Sequence, residues 1–491
     1  MAEELTTDTP ETPEQSEEQA IKQRKNGLYP GVSDELAENM QSGWADTELH
    51  GLEPIAQAAH TAARRAALSA RFPGQRLVIP AGNLKTRSND TEYAFRASTE
   101  YAYLTGDQTQ DGVLVLEPVV GEDRHEATIY LLPRSNRENG EFWLDGQGEL
   151  WVGRRHSLTE AEQLLGLPAK DVRELPAHLA EATGPVRNVR GHDAGIEAAL
   201  ADKVTAEQDE ELRVFLSEAR LVKDAFEVAE LQKACDATAR GFEDVVKVLD
   251  KAQATSERYI EGTFFLRARV EGNDVGYGTI AASGPHACTL HWVRNDGPVR
   301  AGDLLLFDAG VETNELYTAD VTRTLPISGT FTDIQRKIYD AVYEAQEAGI
   351  AAVKPGAHYR DFHDAAQRVL TEKLVEWGLV EGPVDRVLEL GLQRRWTLHG
   401  TGHMLGMDVH DCAAARTETY VDATLEPGMC LTVEPGLYFQ ADDLTVPEEY
   451  RGIGVRIEDD ILVTADGNRN LSETLPRTSA DVEAWMAGLQ G

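Results

Sequence analysis

Five side chains in the second half of the chain have the chemistry of metal ligands. Asp308 closes DLLLFD and is followed by Ala309-Gly310. Asp320 stands in YTADVTRT, at the mouth of the next apolar run. His403 lies in HGTGHMLGMDVHD, which also carries His399 and His410. Glu434 closes MCLTVE before Pro435-Gly436, and Glu458 lies in VRIEDD. Singly, each has an ordinary reading: an Asp before Ala-Gly is a turn former, and a Glu at a strand end is solvated. As a set, four carboxylates and one imidazole, each beside Gly or Pro at a strand edge, form an oxygen-rich ligand inventory. Carboxylates that converge cannot all stay ionised unless cations neutralise them. Hard-to-borderline divalent metals suit the mixture, with manganese, cobalt and zinc all open. Spacing does not reveal convergence. His399 and His403, four apart, would share one face of a helix, as in zinc-binding helices. Gly400 and Gly402 lie between them and the catalytic glutamate of that motif is absent. A loop is predicted there.

The elements that must position these residues are legible as periodicity. DLLLFDAG, VTRTLPIS, MCLTVEPG and GVRIEDDILVT are apolar or alternating runs bounded by turn residues, and each predicts a strand. Two helices are predicted between them, from Asp333 to Val353 and from Tyr359 to about Trp377. Thr332 and Gln335 have capping-box spacing at the start of the first. A charged helical stretch opens this half near Ala219 and helices continue to about Gly272. Ahead of it, PIAQAAHTAARRAALSARF predicts an Ala- and Arg-rich helix, and RLVIPAG, GVLVLEP and ATIYLLP predict buried strands. Helix alternating with strand implies an α/β layer over 53–213, followed by an α+β unit over 214–491. Residues 1–52 are expected to be a disordered acidic tail, to about Lys25, and then an arm with scattered aromatics.

Bulk properties narrow the function classes. A chain of 491 residues with 41% hydrophobic content can bury two cores. A formal net charge of −37 repels phosphate backbones and argues against nucleic acid. The four cysteines, Cys235, Cys288, Cys412 and Cys430, lie far apart without CxxC pairing, which argues against a disulfide framework and a thiolate zinc site. No apolar run is long enough to span a bilayer, and the first residues lack a signal-peptide pattern. A cytoplasmic protein without membrane partners is the expectation.

From Ala219 to about Leu475 the chain resembles the pita-bread metallopeptidases of family M24, which include aminopeptidase P, prolidase and methionine aminopeptidase. The resemblance rests on LHWVRND, LLLFDAGVETNELYTADVTRTLP, HGTGHMLGMDVHD, LEPGMCLTVEPGLYF and GVRIEDDILVT, in the family's order. It implies an α+β pita-bread catalytic domain of the creatinase/aminopeptidase type. The family's five ligand positions fall on Asp308, Asp320, His403, Glu434 and Glu458. By this resemblance Asp308 binds one divalent ion, His403 and Glu434 the other, and Asp320 and Glu458 both. Two ions per subunit are implied, with Mn2+ first and Co2+ or Zn2+ as alternatives, and a hydroxide bridging them as nucleophile. Bridging carboxylates in such sites hold the ions about 3.5–4 Å apart. The same resemblance gives Glu434 a proton-shuttling role and makes His291 and His410 donors to the tetrahedral intermediate. Arg456 becomes support for a ligand carboxylate, and His399 and Tyr438 become substrate-pocket residues. By pattern alone, the histidines could be packed core groups, Arg456 a surface ion pair and Tyr438 core.

The first half separates members of the family. SNDTEYAFRASTEYAYLTG (88–106) and ELWVGRR (149–155) resemble the N-terminal domain of bacterial aminopeptidase P. That implies hydrolysis of the bond between a first residue and a proline in second position, by a homodimer or homotetramer. Prolidase, restricted to dipeptides, is the nearest alternative. A non-catalytic pita-bread binding protein is more distant, because the ligand set is complete. A two-metal phosphoesterase would need a basic phosphate clamp that the sequence lacks.

Overall fold

The structure, a computed structural model, describes residues 32–490. The expected acidic tail lies outside these residues. Of the arm, residues 44–52 lie against the first layer: the Leu49 amide donates to Glu160, the Leu52 amide donates to Gln163, and Trp44 meets Phe142 edge-on at 5.3 Å.

The first layer is a five-stranded mixed sheet. Its strands are β1 (Arg76–Pro80), β2 (Val113–Pro118), β3 (His125–Leu131), β4 (Ala169–Asp171) and β5 (Val186–Asn188), in the order β4-β3-β2-β1-β5. β1, β2 and β3 pair antiparallel, while β5 and β4 join the edges in parallel. The three apolar runs read from the sequence are the three central strands; β1 and β2 are buried along most of their length, and β3 only from Ile129 to Leu131. Helix α1 (Ala58–Arg71) lies beside α2 (Thr99–Thr105). Its arginines have a use that composition does not show. Arg64 and Arg65 are buried and donate to the last carbonyls of α2, those of Tyr103 and Leu104. Cations at a helix C-terminus offset the exposed carbonyl dipoles. Arg64 also reaches Asp224 at 2.9 Å, the N-cap of α3 (Ala225–Lys247), and so ties the two halves together. The helix Ala206–Ala219 runs across the division expected at 213/214.

The second half is built on antiparallel pairs. Strands β6 (Ile280–Ser283), β7 (Leu304–Ala309) and β8 (Val321–Pro326) form one sheet with β7 central. Strand β9 (Cys430–Val433) pairs with β12 (Asp459–Val463), and β10 (Gly436–Phe439) pairs with β11 (Ile453–Arg456). GVRIEDDILVT, expected as one strand, is two. After Arg456 the chain leaves β10, the Glu458 amide donates to Thr322 of β8 at 3.0 Å, and Asp459 then pairs with Val433 of β9. Glu458 stands at this change of partner, which turns it toward β8.

Helices cover these strands. Besides α3, they are α4 (Glu257–Glu271), α5 (Asp333–Ala352), α6 (Asp361–Glu376) and the terminal α7 (Ser479–Gln490). The predicted capping box of α5 is present, with Thr332 and Gln335 bonding each other's backbone amides. Phe242 of α3, Phe264 of α4 and Phe307 of β7 meet with ring centroids 4.6–6.3 Å apart, which locks the back of the strand that carries Asp308. All four cysteines are free and buried.

Candidate metal centre

The turn between β7 and β8 brings the first two carboxylates together. Asp308 and Thr322 are cross-strand partners, and Asp320 immediately precedes β8. Gly310 makes the close return possible, since a Cβ there would lie 1.7 Å from the Ala319 carbonyl oxygen. The Asp320 amide is held by Asp460 at 3.1 Å. The segment from His399 to His403 is a loop, as the two glycines predict. It lies along β9: the Thr432 amide donates to the His403 carbonyl at 2.9 Å, and the Glu434 amide donates to the Thr401 carbonyl at 2.8 Å. These backbone bonds set His403 and Glu434 side by side.

All five expected ligands line one cavity of about 450 Å³. The tightest group is Asp320, His403 and Glu458, whose ligand atoms lie within 4.8 Å of one another. His403 Nε2 is 3.3 Å from Asp320 Oδ2 and 3.7 Å from Glu434 Oε1. Asp308 lines the same cavity, with Oδ1 accepting from the Tyr277 hydroxyl at 2.6 Å and Oδ2 from Arg456 Nη2 at 2.5 Å. Arg456 is buried, so its expected pairing with a carboxylate is an internal one.

The other expected residues surround this group. His291 and His410 are exposed at the cavity wall, and the His410 ring meets His403 edge-on at 4.3 Å. His399 lines the cavity 3.6 Å from Glu434 Oε2. Tyr438 does not line it. Its hydroxyl stands behind, 2.8 Å from His399 Nε2 and accepting from Arg456 Nη1 at 3.1 Å. Three contributors were not singled out from sequence: Tyr277, Thr322 and Asp460. Thr322 accepts from Arg456 Nε at 3.2 Å and donates to Glu458 Oε2 at 2.7 Å, completing a relay of bonds between Arg456 and Glu458. Its position two residues after Asp320 on a strand was the available signal, because both then face one side. The acidic run Glu458-Asp459-Asp460 divides its labour. Glu458 faces the cavity, Asp459 pairs with buried Arg323 at 2.7 Å, and Asp460 holds the Asp320 amide.

The electrostatics fit a cation. Burial pushes the Glu458 carboxyl well above its ordinary range, and the charges of Asp320, Glu434 and Asp308 add to the effect. Asp308 is also raised, by burial and by Asp320, against the pull of Arg456. Burial carries Glu434 to about 7 despite His403 and Arg456. Burial would lower His403, but the bond and charge of Asp320, with Glu434, lift it to about 9. That partnership in turn keeps Asp320 below its usual value although burial opposes it. His399, desolvated and facing Arg456, falls to about 4. Four carboxylates converge on a cavity where Arg456 and His403 are the adjacent cationic groups. This arrangement carries excess negative charge that divalent ions neutralise, and its donors suit them.

The profile of metallopeptidase family M24 matches residues 229–465, and that of the aminopeptidase P N-terminal domain matches residues 61–189. Xaa-Pro aminopeptidase 1 of Streptomyces coelicolor is 84% identical over the full length of both chains. The chain belongs to metallopeptidase family M24. Within that family it is an aminopeptidase P, with the N-terminal domain preceding a pita-bread catalytic domain. Xaa-Pro aminopeptidase of Escherichia coli is 34% identical over 86% of this chain and 96% of its own. The solved structure of zinc-substituted E. coli aminopeptidase P in complex with product superimposes with a TM-score of 0.80 at 32% identity, covering 89% of this chain and all of that one. An aminopeptidase from Pseudomonas aeruginosa gives 0.78 at 32% identity, over 89% and 100%. The M24 aminopeptidase described here is a metal-dependent hydrolase of peptides. No helix among its described residues is long and apolar enough to cross a membrane.

Proposed function

We propose that this enzyme removes the first residue from peptides that carry proline in second position. The observation that carries the reading is the cavity that gathers Asp308, Asp320, His403, Glu434 and Glu458 in a chain 84% identical to an Xaa-Pro aminopeptidase. Asp308 would hold one divalent ion, His403 and Glu434 the other, and Asp320 and Glu458 both, with Mn2+ ahead of Co2+ or Zn2+. Such a pair supplies Lewis-acid activation of the scissile carbonyl and a water acidified to near neutral pH.

The chain's own residues do the rest. An Xaa-Pro bond has no N–H and a fixed φ, so a site that accepts it recognises ring shape. The wall of His399, backed by Tyr438 and Arg456, supplies such a surface. Glu434, which lies within 4 Å of both His403 and His399, would carry a proton toward the leaving proline nitrogen. His410 and His291, at the cavity wall, would donate to the oxyanion, a contact worth on the order of 2.7–4 kcal/mol in comparable sites. Arg456 and Tyr277 orient Asp308. Hydrolysis of Ala-Pro-Ala by the manganese-loaded protein tests the reading: rapid release of alanine is expected. Cleavage of Ala-Pro alone would instead identify a prolidase, and no metal-dependent turnover of either would indicate a binding protein.

The reading includes a cytoplasmic homodimer or homotetramer. Tyr93, Leu150 and Val152 of the N-terminal domain are each more than half exposed, which suits contact with a second copy. Sedimentation as a monomer at micromolar concentration would refute that part.

A further inference from the structure

The loop after His403 carries His410, and a substantial share of what holds it comes from the other domain. On the catalytic side, the Leu405 amide donates to the Cys430 carbonyl at 3.0 Å, and the Gly406 carbonyl accepts from Thr318 at 3.1 Å. Beyond Gly406 the partners change. The Met407 carbonyl accepts from Arg96 Nη2 at 2.7 Å, and Asp408 Oδ1 accepts from the Thr99 hydroxyl at 2.7 Å. Arg96 also donates to Thr99 at 3.2 Å and pairs with Asp408 at 3.3 Å. Arg220 holds Asp411, the neighbour of His410, at 2.9 Å and lies 3.6 Å from Glu100 of α2.

Arg96 has a second grip. Its Nε donates to Glu312 Oε2 at 2.7 Å, and Glu312 is buried four residues beyond Asp308. The other Glu312 oxygen is occupied by Asn273 at 2.8 Å, which leaves that carboxylate little freedom. One guanidinium of the N-terminal domain therefore joins the hairpin that carries Asp308 and Asp320 to the loop that carries His410. An arginine fork suits this, because its donors are fixed in one plane and can satisfy a carboxylate and a carbonyl at once. Asp408 and Asp411 place like charges on one turn, and Arg96 and Arg220 each offset one of them.

We infer that Arg96 and Thr99 are positioning residues for the reaction. They fix His410 relative to the metal-binding carboxylates, so that the N-terminal domain helps to complete the catalytic site. The inference rests on the role proposed for His410. Positioning matters steeply, since a displacement of roughly 1 Å can cost about a hundredfold in rate.

The test uses the full-length, manganese-loaded enzyme with Arg96→Gln, Thr99→Val and the conservative Thr99→Ser. On Ala-Pro-Ala, the first two should lower kcat by about ten- to a hundredfold with KM within about twofold, while Thr99→Ser stays near wild type. In a His410→Ala background the same substitutions should have no further effect. Hydrogen exchange of the amides in 404–411 should accelerate in Arg96→Gln and Thr99→Val. If Arg96→Gln fails to fold, the near-isosteric Thr99→Val decides. An equal fall in the His410→Ala background, or unchanged exchange of the loop, would overturn the inference. If the wild type turns over no Xaa-Pro peptide, the proposed function fails by itself, and the exchange measurement still decides whether Arg96 and Thr99 hold the loop.

Discussion

At the scale of single residues, the centre is a competition between protons and dications for the same lone pairs. Without metal, Glu434 titrates at about 7 and His403 at about 9. Metal binding must displace those protons, so apparent affinity rises with pH across this window. The stability sign follows from the same shifts. The folded value of His403 lies above its ordinary 6.5, so its contribution is complete below that pH and is lost as pH rises through about 9. Glu434 is raised from 4.5, so its protonated form favours the fold, and that contribution is lost as pH rises through about 7. These two shifts therefore lower the melting temperature of metal-free protein as pH rises from about 4.5 to about 9. Calorimetric titration of Mn2+ at pH 7 in buffers of different ionisation enthalpy should report proton release, and a buffer-independent heat would contradict it. Asp320 is the residue whose loss should be most severe, because it contacts His403, neighbours Glu458 and is assigned to both ions. Asp320→Ala should abolish peptide hydrolysis and reduce bound metal. Near-normal kcat with full metal content would remove it from the centre.

At the scale of elements, the site depends on close backbone approaches. The loop that carries His403 lies against β9 so tightly that a Cβ on Gly402 would sit 2.0 Å from the Thr432 carbonyl oxygen. Gly402→Ala must push loop and strand apart. It would break the bond from the His403 amide to Thr432 Oγ1 at 3.1 Å and the reciprocal backbone bond, at a cost of about 1–3 kcal/mol. The expected outcome is a folded enzyme with weakened metal binding and low kcat, measured by metal content after gel filtration and by peptide assay. Wild-type metal content in that variant would show that the loop can yield without disturbing His403. The same scale explains why GVRIEDDILVT is two strands. The backbone of Glu458 leaves one sheet partner for another, and the exchange aims its side chain at the cavity while Asp459 and Asp460 turn to Arg323 and Asp320.

At the scale of the whole molecule, the N-terminal domain is joined to the catalytic domain by Arg64 to Asp224, Arg96 to Glu312 and Met407, and Tyr103 to Ala219. The chain carries a net charge of −37, and convergence of carboxylates in its centre adds to the self-repulsion that metal relieves. Removing metal with a chelator is expected to abolish hydrolysis and lower the melting temperature. Restoring Mn2+ at about a hundredfold its Kd should return roughly 2.7 kcal/mol of stability for each ion bound. A melting temperature indifferent to chelator and to Mn2+ would mean that no metal binds the folded chain.

The sequence by itself determined the ligand types, the strands that present Asp308, Asp320 and Glu434, the loop that carries His403 and the capping of α5. These are local properties, written in side-chain chemistry, periodicity and the Gly and Pro residues at element ends. The motif order carried the family. The tertiary structure decided that Tyr277 and Arg456 share Asp308, that Thr322 bonds Glu458, that Asp460 holds the Asp320 backbone, and that arginines of the first domain grip the second. Each of these is a contact between residues distant in the chain, set by how strands pair and helices cover them, and no local pattern encodes which carboxylate a given arginine will meet.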